Sequence, residues 1–250
     1  MIERETRGAV ALLRLVHGKA NALDLEFLAA LEDAFESEQR SSARAIVLTG
    51  SGSIFSAGVD LVRMLEEGRP YLERFLPALD RALRSLFVLE KPVVAAINGH
   101  AIAGGAILAA ASDRRLLARG KATFGAPELK VGVPFPPLPL EIFRRICPPS
   151  HVDEAVLGAR VYRAEEALAL GLVDELVEPE LLLARGLQVA GELAALPARA
   201  FALNKRMLRQ PSLERVARQD SELGGQVLEV WCSAETREAL RGYVERTLEK

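Results

Sequence analysis

Two periods of apolar and polar positions alternate along this chain. Residues 9–15 and 44–49 are short β-prone runs, and residues 24–39 between them repeat Leu25, Leu28, Leu31 and Phe35 at helical spacing. The strand, helix, strand order then recurs. Residues 71–89 place Leu72, Phe75, Leu76, Leu79, Leu83, Leu86 and Phe87 on one helical face and lead to a strand at 92–97. A third helix at 104–111 leads to residues 114–118. Strands alternating with helices predict an α/β architecture, and the order alone leaves both a flat doubly wound sheet and a spiral of turns open. From Val161 the pattern changes. YRAEEALALGLVDELV reads as a short helix, a stop at Gly171 and one brief strand, residues 181–196 as one helix, and Pro197 as the start of another. Helical spacing continues over 213–248, with an interruption expected at Gly224 and Gly225. The C-terminal quarter is therefore expected to be a helical cap or arm whose polar faces leave room to pack on another subunit.

Composition narrows the partners. Half of the 250 residues are apolar, enough to bury one main domain plus a smaller appendage without a disulfide or metal staple. The 32 basic and 34 acidic residues are interspersed and leave a formal charge of -2, so neither nucleic acid nor an anionic membrane is indicated and a small-molecule partner is expected. Cys147 and Cys232 are far apart and share no metal-ligand spacing, which fits a reducing cytoplasm. The charged start MIERETRGAVALLRL lacks the apolar run of an export signal. Residues 92–111 are apolar enough to suggest a membrane span but contain Asn98, His100 and glycines 99, 104 and 105, and read instead as a buried strand, a turn and a buried helix.

Two glycine-bearing turns carry the candidate chemistry: IFSAGVDL at 54–61 and INGHAIAGGAILAAASD at 97–113. Neither matches a dinucleotide or Walker phosphate loop. Both place backbone N–H groups where a helix begins, where the helix dipole favours developing negative charge, and a pair of such donors makes an oxyanion hole. Turn glycines more often serve backbone geometry alone, so it is the joint occurrence that points to function.

Four segments in order, KANAL at 19–23, FSAGVDL at 55–61, NGHAIAGG at 98–105 and FGAPELKVGV at 124–133, resemble the signature segments of the crotonase (enoyl-CoA hydratase/isomerase) superfamily. YRAEEALALGLVDELV resembles the family's stretch after the core, and the similarity weakens toward the C-terminal helices. The resemblance implies an α/β spiral of ββα turns with a helical C-terminal region, an acyl-CoA-binding core over 1–195, and a trimerisation region over 196–250 that builds a homotrimer or a dimer of trimers. It implies an acyl-CoA substrate and no cofactor, the coenzyme A thioester being itself the substrate.

Carried over by position, the resemblance puts the oxyanion-hole amides at Val59 and Gly104. It sets Lys19, Ala20, Ala22, Ala57, Asp60 and Leu61 along the adenine and pantetheine. Where relatives carry a basic residue after this turn, the chain has Val62 and then Arg63. Hydratases of the family use two glutamates. The first position falls on Ile107 here, and the second is retained as Glu128. One carboxylate beside an oxyanion hole suits a proton shuttle from C2 to C4 of a 3-enoyl thioester, which is double-bond isomerisation. Hydration of a 2-enoyl thioester is the alternative, and a non-catalytic acyl-CoA binding protein is the rival from another class. Ile107, Val133, Phe135 and Leu138 are expected to line an alkyl acyl chain. Glu141 is expected on a solvated helical face, His100 as a cap of backbone groups, and Asp113 bonded to neighbouring backbone.

Overall fold

The computed structural model describes residues 1–247; residues 248–250, the last of the predicted C-terminal region, lie outside the described residues. A hairpin of β1 (Ile2–Arg7) and β2 (Val10–Leu15) opens the chain, and α1 (Leu25–Arg40) follows, capped by the Asp24 carboxylate on the Phe27 N–H. Three passes then share one plan. In the first, β3 (Ala45–Thr49) and β4 (Ile54–Ser56) precede α2 (Leu61–Glu67) and α3 (Arg69–Phe87). In the second, β5 (Val93–Ile97) and β6 (His100–Ile102) precede α4 (Gly104–Ala110). In the third, β7 (Arg114–Ala118) and β8 (Thr123–Gly125) lead through a 3-10 turn, Glu128–Val131, into α5 (Pro137–Ile146) and α6 (Val152–Leu157). After β9 (Val161–Arg163), α7 (Ala164–Ala169) and β10 (Glu175–Val177), the chain ends in α8 (Leu182–Ala194), α9 (Ala198–Trp231) and α10 (Ala234–Thr247).

Each pass gives its first strand to a six-stranded sheet, ordered β1-β2-β3-β5-β7-β10, and its second to a four-stranded sheet, ordered β4-β6-β8-β9. Only the β1–β2 and β8–β9 pairs are antiparallel. Two sheets fed in turn by the same pass make a spiral of ββα turns, which settles the choice that element order left open. AIVLT and VVAAI are unbroken apolar runs because β3 and β5 are buried on both faces. One face of the large sheet packs on α8 through Val47, Val94, Leu182 and Val189, and the other meets α1, α3 and α4 in the main core. Among the described residues no helix is long and apolar enough to cross a membrane.

Two expectations for the C-terminal half need correction. Gly224 and Gly225 do not interrupt the helix: α9 runs through them, and the break falls at Cys232–Ser233. A glycine costs only about 1 kcal/mol in a helix, which the packing of a 34-residue element absorbs. Glu141 is not solvated either. It is fully buried on α5, where Arg215 of α9 donates to its Oε2 at 2.7 Å, so it ties these helices together.

Candidate active site

The first signature loop is held by its own backbone against the second. Leu23 N–H donates to Gly58 O at 2.7 Å and Asp60 N–H to Leu23 O at 3.0 Å, a parallel bridge opposite Val59. In such a bridge residue 58 supplies the acceptor and residue 60 the donor, so the N–H of Val59 between them points the other way. Asn21, buried and at φ 47, fixes the loop by donating to Phe55 O at 3.0 Å and accepting from His17 N–H at 2.7 Å.

The second amide is aimed by an unusual residue. Ala103 caps α4 at φ 52, ψ -129, a region that L residues rarely occupy and that costs about 1–3 kcal/mol. Its N–H donates to Gly125 O at 2.8 Å, leaving Gly104 N–H as the first free donor of the helix. The two turns are in contact: a Cβ built on Gly58 would stand 3.0 Å from Gly104 N. Among the described residues neither Val59 N–H nor Gly104 N–H donates to another group. Gly105 allows this approach, since a Cβ there would lie 2.1 Å from Ser56 O. Gly105→Ala should therefore separate the turns and lower turnover of any enolate-forming substrate ~10²-fold or more, the effect of losing one oxyanion donor. Initial rates on protein whose circular dichroism matches the parent would check this.

Val59 and Gly104 both line a largely apolar cavity of about 220 Å³. Its walls include Ala20, Ala22, Ala57, Val59, Asp60 and Leu61 from the first two signature segments, Gly104, Glu128 and Val133 from the others, and Ile107 of α4. Glu128 opens the 3-10 turn after Pro127, is 8% exposed, and its buried Oε2 has no hydrogen-bond partner among the described residues. Burial pushes its carboxyl up to about 8, against a smaller opposing effect of backbone N–H at the start of the turn. Ile107 is 1% exposed and presents only hydrocarbon to the same space. The other lining carboxylate, Asp60, caps α2 by accepting from Arg63 N–H at 3.0 Å.

Not every expected residue reaches the cavity. Lys19 is exposed and outside its walls. Phe135 is also outside: its ring packs on Phe143, centroids 6.3 Å apart, and the neighbouring Pro136 forms the wall instead. Leu138 lines an adjoining groove between α3 and α9. Arg63 is ion-paired to Glu26 and Glu67, with its guanidinium 5.1 Å above the Tyr71 ring. His100 bonds a side chain rather than backbone, its Nδ1 lying 2.8 Å from Thr123 Oγ1.

Other walls carried no signal in the motifs. Leu79 and Leu83 of α3, Trp231 of α9 and Tyr243 of α10 line the cavity. The leucines were legible only as members of an apolar face. Trp231 and Tyr243 lie more than a hundred residues beyond Glu128, with nothing local to tie them to it.

The chain matches the family model described as enoyl-CoA hydratase/isomerase over residues 5–249. It is 35% identical to a carnitinyl-CoA dehydratase of Salmonella arizonae, over 81% of this chain and 77% of that one. A short-chain-enoyl-CoA hydratase of Clostridium acetobutylicum is 29% identical over 97% of this chain and 94% of its own. The crystal structure of human mitochondrial delta3-delta2-enoyl-CoA isomerase superposes with a TM-score of 0.94 at 26% identity, covering 99% of this chain and 98% of that one.

Proposed function

The chain belongs to the enoyl-CoA hydratase/isomerase family, and we propose that within it this protein moves the double bond of a 3-enoyl-CoA to the 2-position, in fatty acid metabolism. One observation carries the reading: among the described residues Glu128 is the cavity's only uncommitted carboxylate, and Ile107 stands where a second would be needed. The thioester carbonyl sits between the Val59 and Gly104 amides, and Glu128 removes a proton from C2. The enolate oxygen is held by those two donors, and the same carboxyl returns the proton at C4. A carboxyl near 8 suits both halves of this exchange, because its basic and acidic forms are both populated close to neutral pH.

Ala20, Ala22, Ala57, Asp60 and Leu61 flank the pantetheine, with Lys19 at the adenine end outside the cavity. The reaction draws on no cofactor beyond the thioester itself. Overall similarity to a solved isomerase supports the reading, while relatives named for hydration and dehydration make water addition the alternative. Hydration would leave Glu128 to orient water and protonate carbon unaided. Purified protein with 3-hexenoyl-CoA should develop the absorbance of the conjugated thioester at a rate at least ~100-fold above its loss with crotonyl-CoA. Efficient turnover of crotonyl-CoA, in the usual range of kcat of ~1–10³ per second, would favour the hydratase instead.

We also read residues 196–250 as an assembly region. Leu203, Met207 and Leu208 of α9 are more than half exposed and form an apolar strip suited to a second copy. Sedimentation should give three or six times the 27.1 kDa chain mass, and a monomer would contradict it. Free Cys147 and Cys232 suit a reducing cytoplasm.

A further inference from the structure

The turn that carries Glu128 is short and has few bonds of its own. Lys130 N–H donates to Pro127 O at 2.9 Å, Gly132 N–H to Leu129 O at 3.2 Å and Val133 N–H to Glu128 O at 3.2 Å. Runs of this kind are tight but poorly bonded. The turn ends at Gly132, φ 76, and the carbonyls of Gly132 and Pro134 then leave it pointing at the C-terminal helices.

Both find donors at the break between α9 and α10. Trp231 Nε1–H, on the last residue of α9, donates to Pro134 O at 2.9 Å. Thr236 Oγ1, in the first turn of α10, lies 2.9 Å from Gly132 O and 2.7 Å from Val230 O. The hydroxyl has one proton. Val230 O already accepts from Ser233 N–H at 3.0 Å, whereas Gly132 O has no other donor among the described residues, so we assign the proton to Gly132, the carbonyl that would otherwise have none. Thr236 is 1% exposed and Trp231 3% exposed, so both bonds are shielded from water. Ser233 Oγ accepts from Thr236 N–H at 3.1 Å and fixes the start of α10. A Cβ on Gly132 would stand 3.2 Å from Ala239 Cβ, so helix and turn are in van der Waals contact.

We propose that Thr236, seconded by Trp231, is a positioning residue for Glu128. The helix break clamps the far end of the 128–134 turn and so holds the carboxyl in the cavity, out of reach of water. The C-terminal helices then complete the active site of their own chain, in addition to any part in assembly. This rests on the reading of Glu128 as the proton carrier. Thr236→Val keeps the side-chain volume and removes the donor, while Thr236→Ser keeps the donor.

The test has two arms. Carbon-detected NMR of glutamate-labelled protein, assigned against Glu128→Gln, follows the Glu128 carboxyl through its titration. Turnover of 3-hexenoyl-CoA is measured against pH on the same proteins. In Thr236→Val the carboxyl should titrate at least one pH unit below the parent, and kcat should fall ~10-fold with KM within twofold. Thr236→Ser should restore both. Unchanged titration and kcat in a folded Thr236→Val would overturn the proposal. A parent that does not isomerise, with the titration still displaced by Thr236→Val, would remove the isomerase reading and leave the clamp. If Thr236→Val does not fold, Trp231→Phe removes the second bond, and it should displace the titration in the same direction; no displacement there overturns the clamp.

Discussion

Glu128→Gln should lower conversion of 3-hexenoyl-CoA ~10²–10⁴-fold, as the proposed mechanism expects for loss of its acid–base group, and should make the folded chain more stable at alkaline pH. The amide keeps the shape of the side chain and cannot carry a proton between C2 and C4. The stability effect follows from burial. The carboxyl sits at about 8 in the fold against an ordinary 4.5, so ionising it there costs on the order of 4–5 kcal/mol more than in the unfolded chain. Below pH 4.5 both states are protonated and that stability is fully present. As pH rises the unfolded chain ionises first, and the parent loses stability until about pH 8, where the folded carboxyl ionises too. The variant has no such loss. Thermal melts should therefore coincide near pH 4.5 and separate progressively toward pH 8, with the variant higher. Melts that coincide at pH 9 would show that the carboxyl is solvated. This is the pattern of a site that gives up stability for chemistry.

Asp113→Ala should cost about 3–5 kcal/mol of folding stability, the usual result of stripping the counter-charge from buried cations. Asp113 follows α4, where its Oδ2 accepts from Val93 N–H at 2.8 Å and Lys205 Nζ at 2.6 Å, and its Oδ1 from Arg209 at 2.6 Å. Lys205 and Arg209 are 6% and 2% exposed. Desolvation lowers both, Lys205 to about 8 and Arg209 to about 10, with Asp113 as the main force opposing it. Lys205 also donates to Lys91 O at 2.8 Å and Arg209 to Phe87 O, so the cluster docks α9 on the spiral. That helix delivers Trp231 to the cavity some twenty residues on. A loss this size is a large part of the ~5–15 kcal/mol that holds a typical domain together. Urea unfolding would measure it, and a loss under ~1 kcal/mol would mean that the cations are not held by Asp113.

Long, strongly periodic elements were legible: α1 and α3 from their leucine and phenylalanine stripes, β3 and β5 from apolar runs. The strands β4, β6, β8 and β9 were not, because three residues are too few to show an alternation. They are the strands of the second sheet, so the spiral could not be told from a flat sheet by periodicity. β1 was hidden by its charges, since IERETR is an exposed edge. Of the residues expected at the site, all but Lys19, Phe135 and Leu138 fall on the cavity wall. Phe135 was placed by its apolar character, but its ring packs on Phe143 and the neighbouring Pro136 takes the wall. Glu141 misled, and Asp113 bonds backbone at Val93 as expected but also holds two cations that the sequence did not show. Their partners come from a helix far along the chain, and a single sequence carries no record of that pairing.

The central claim is one carboxyl acting on both carbons beside a fixed pair of amides. Its most direct test is 3-hexenoyl-CoA deuterated at C2, incubated with the parent protein in ordinary water, with the conjugated product examined by mass spectrometry. A single shielded Glu128 predicts product with a substantial share of the deuterium at C4. Product that has lost all of the label removed from C2 to solvent, or a 3-hydroxyacyl thioester in place of the conjugated one, would contradict it.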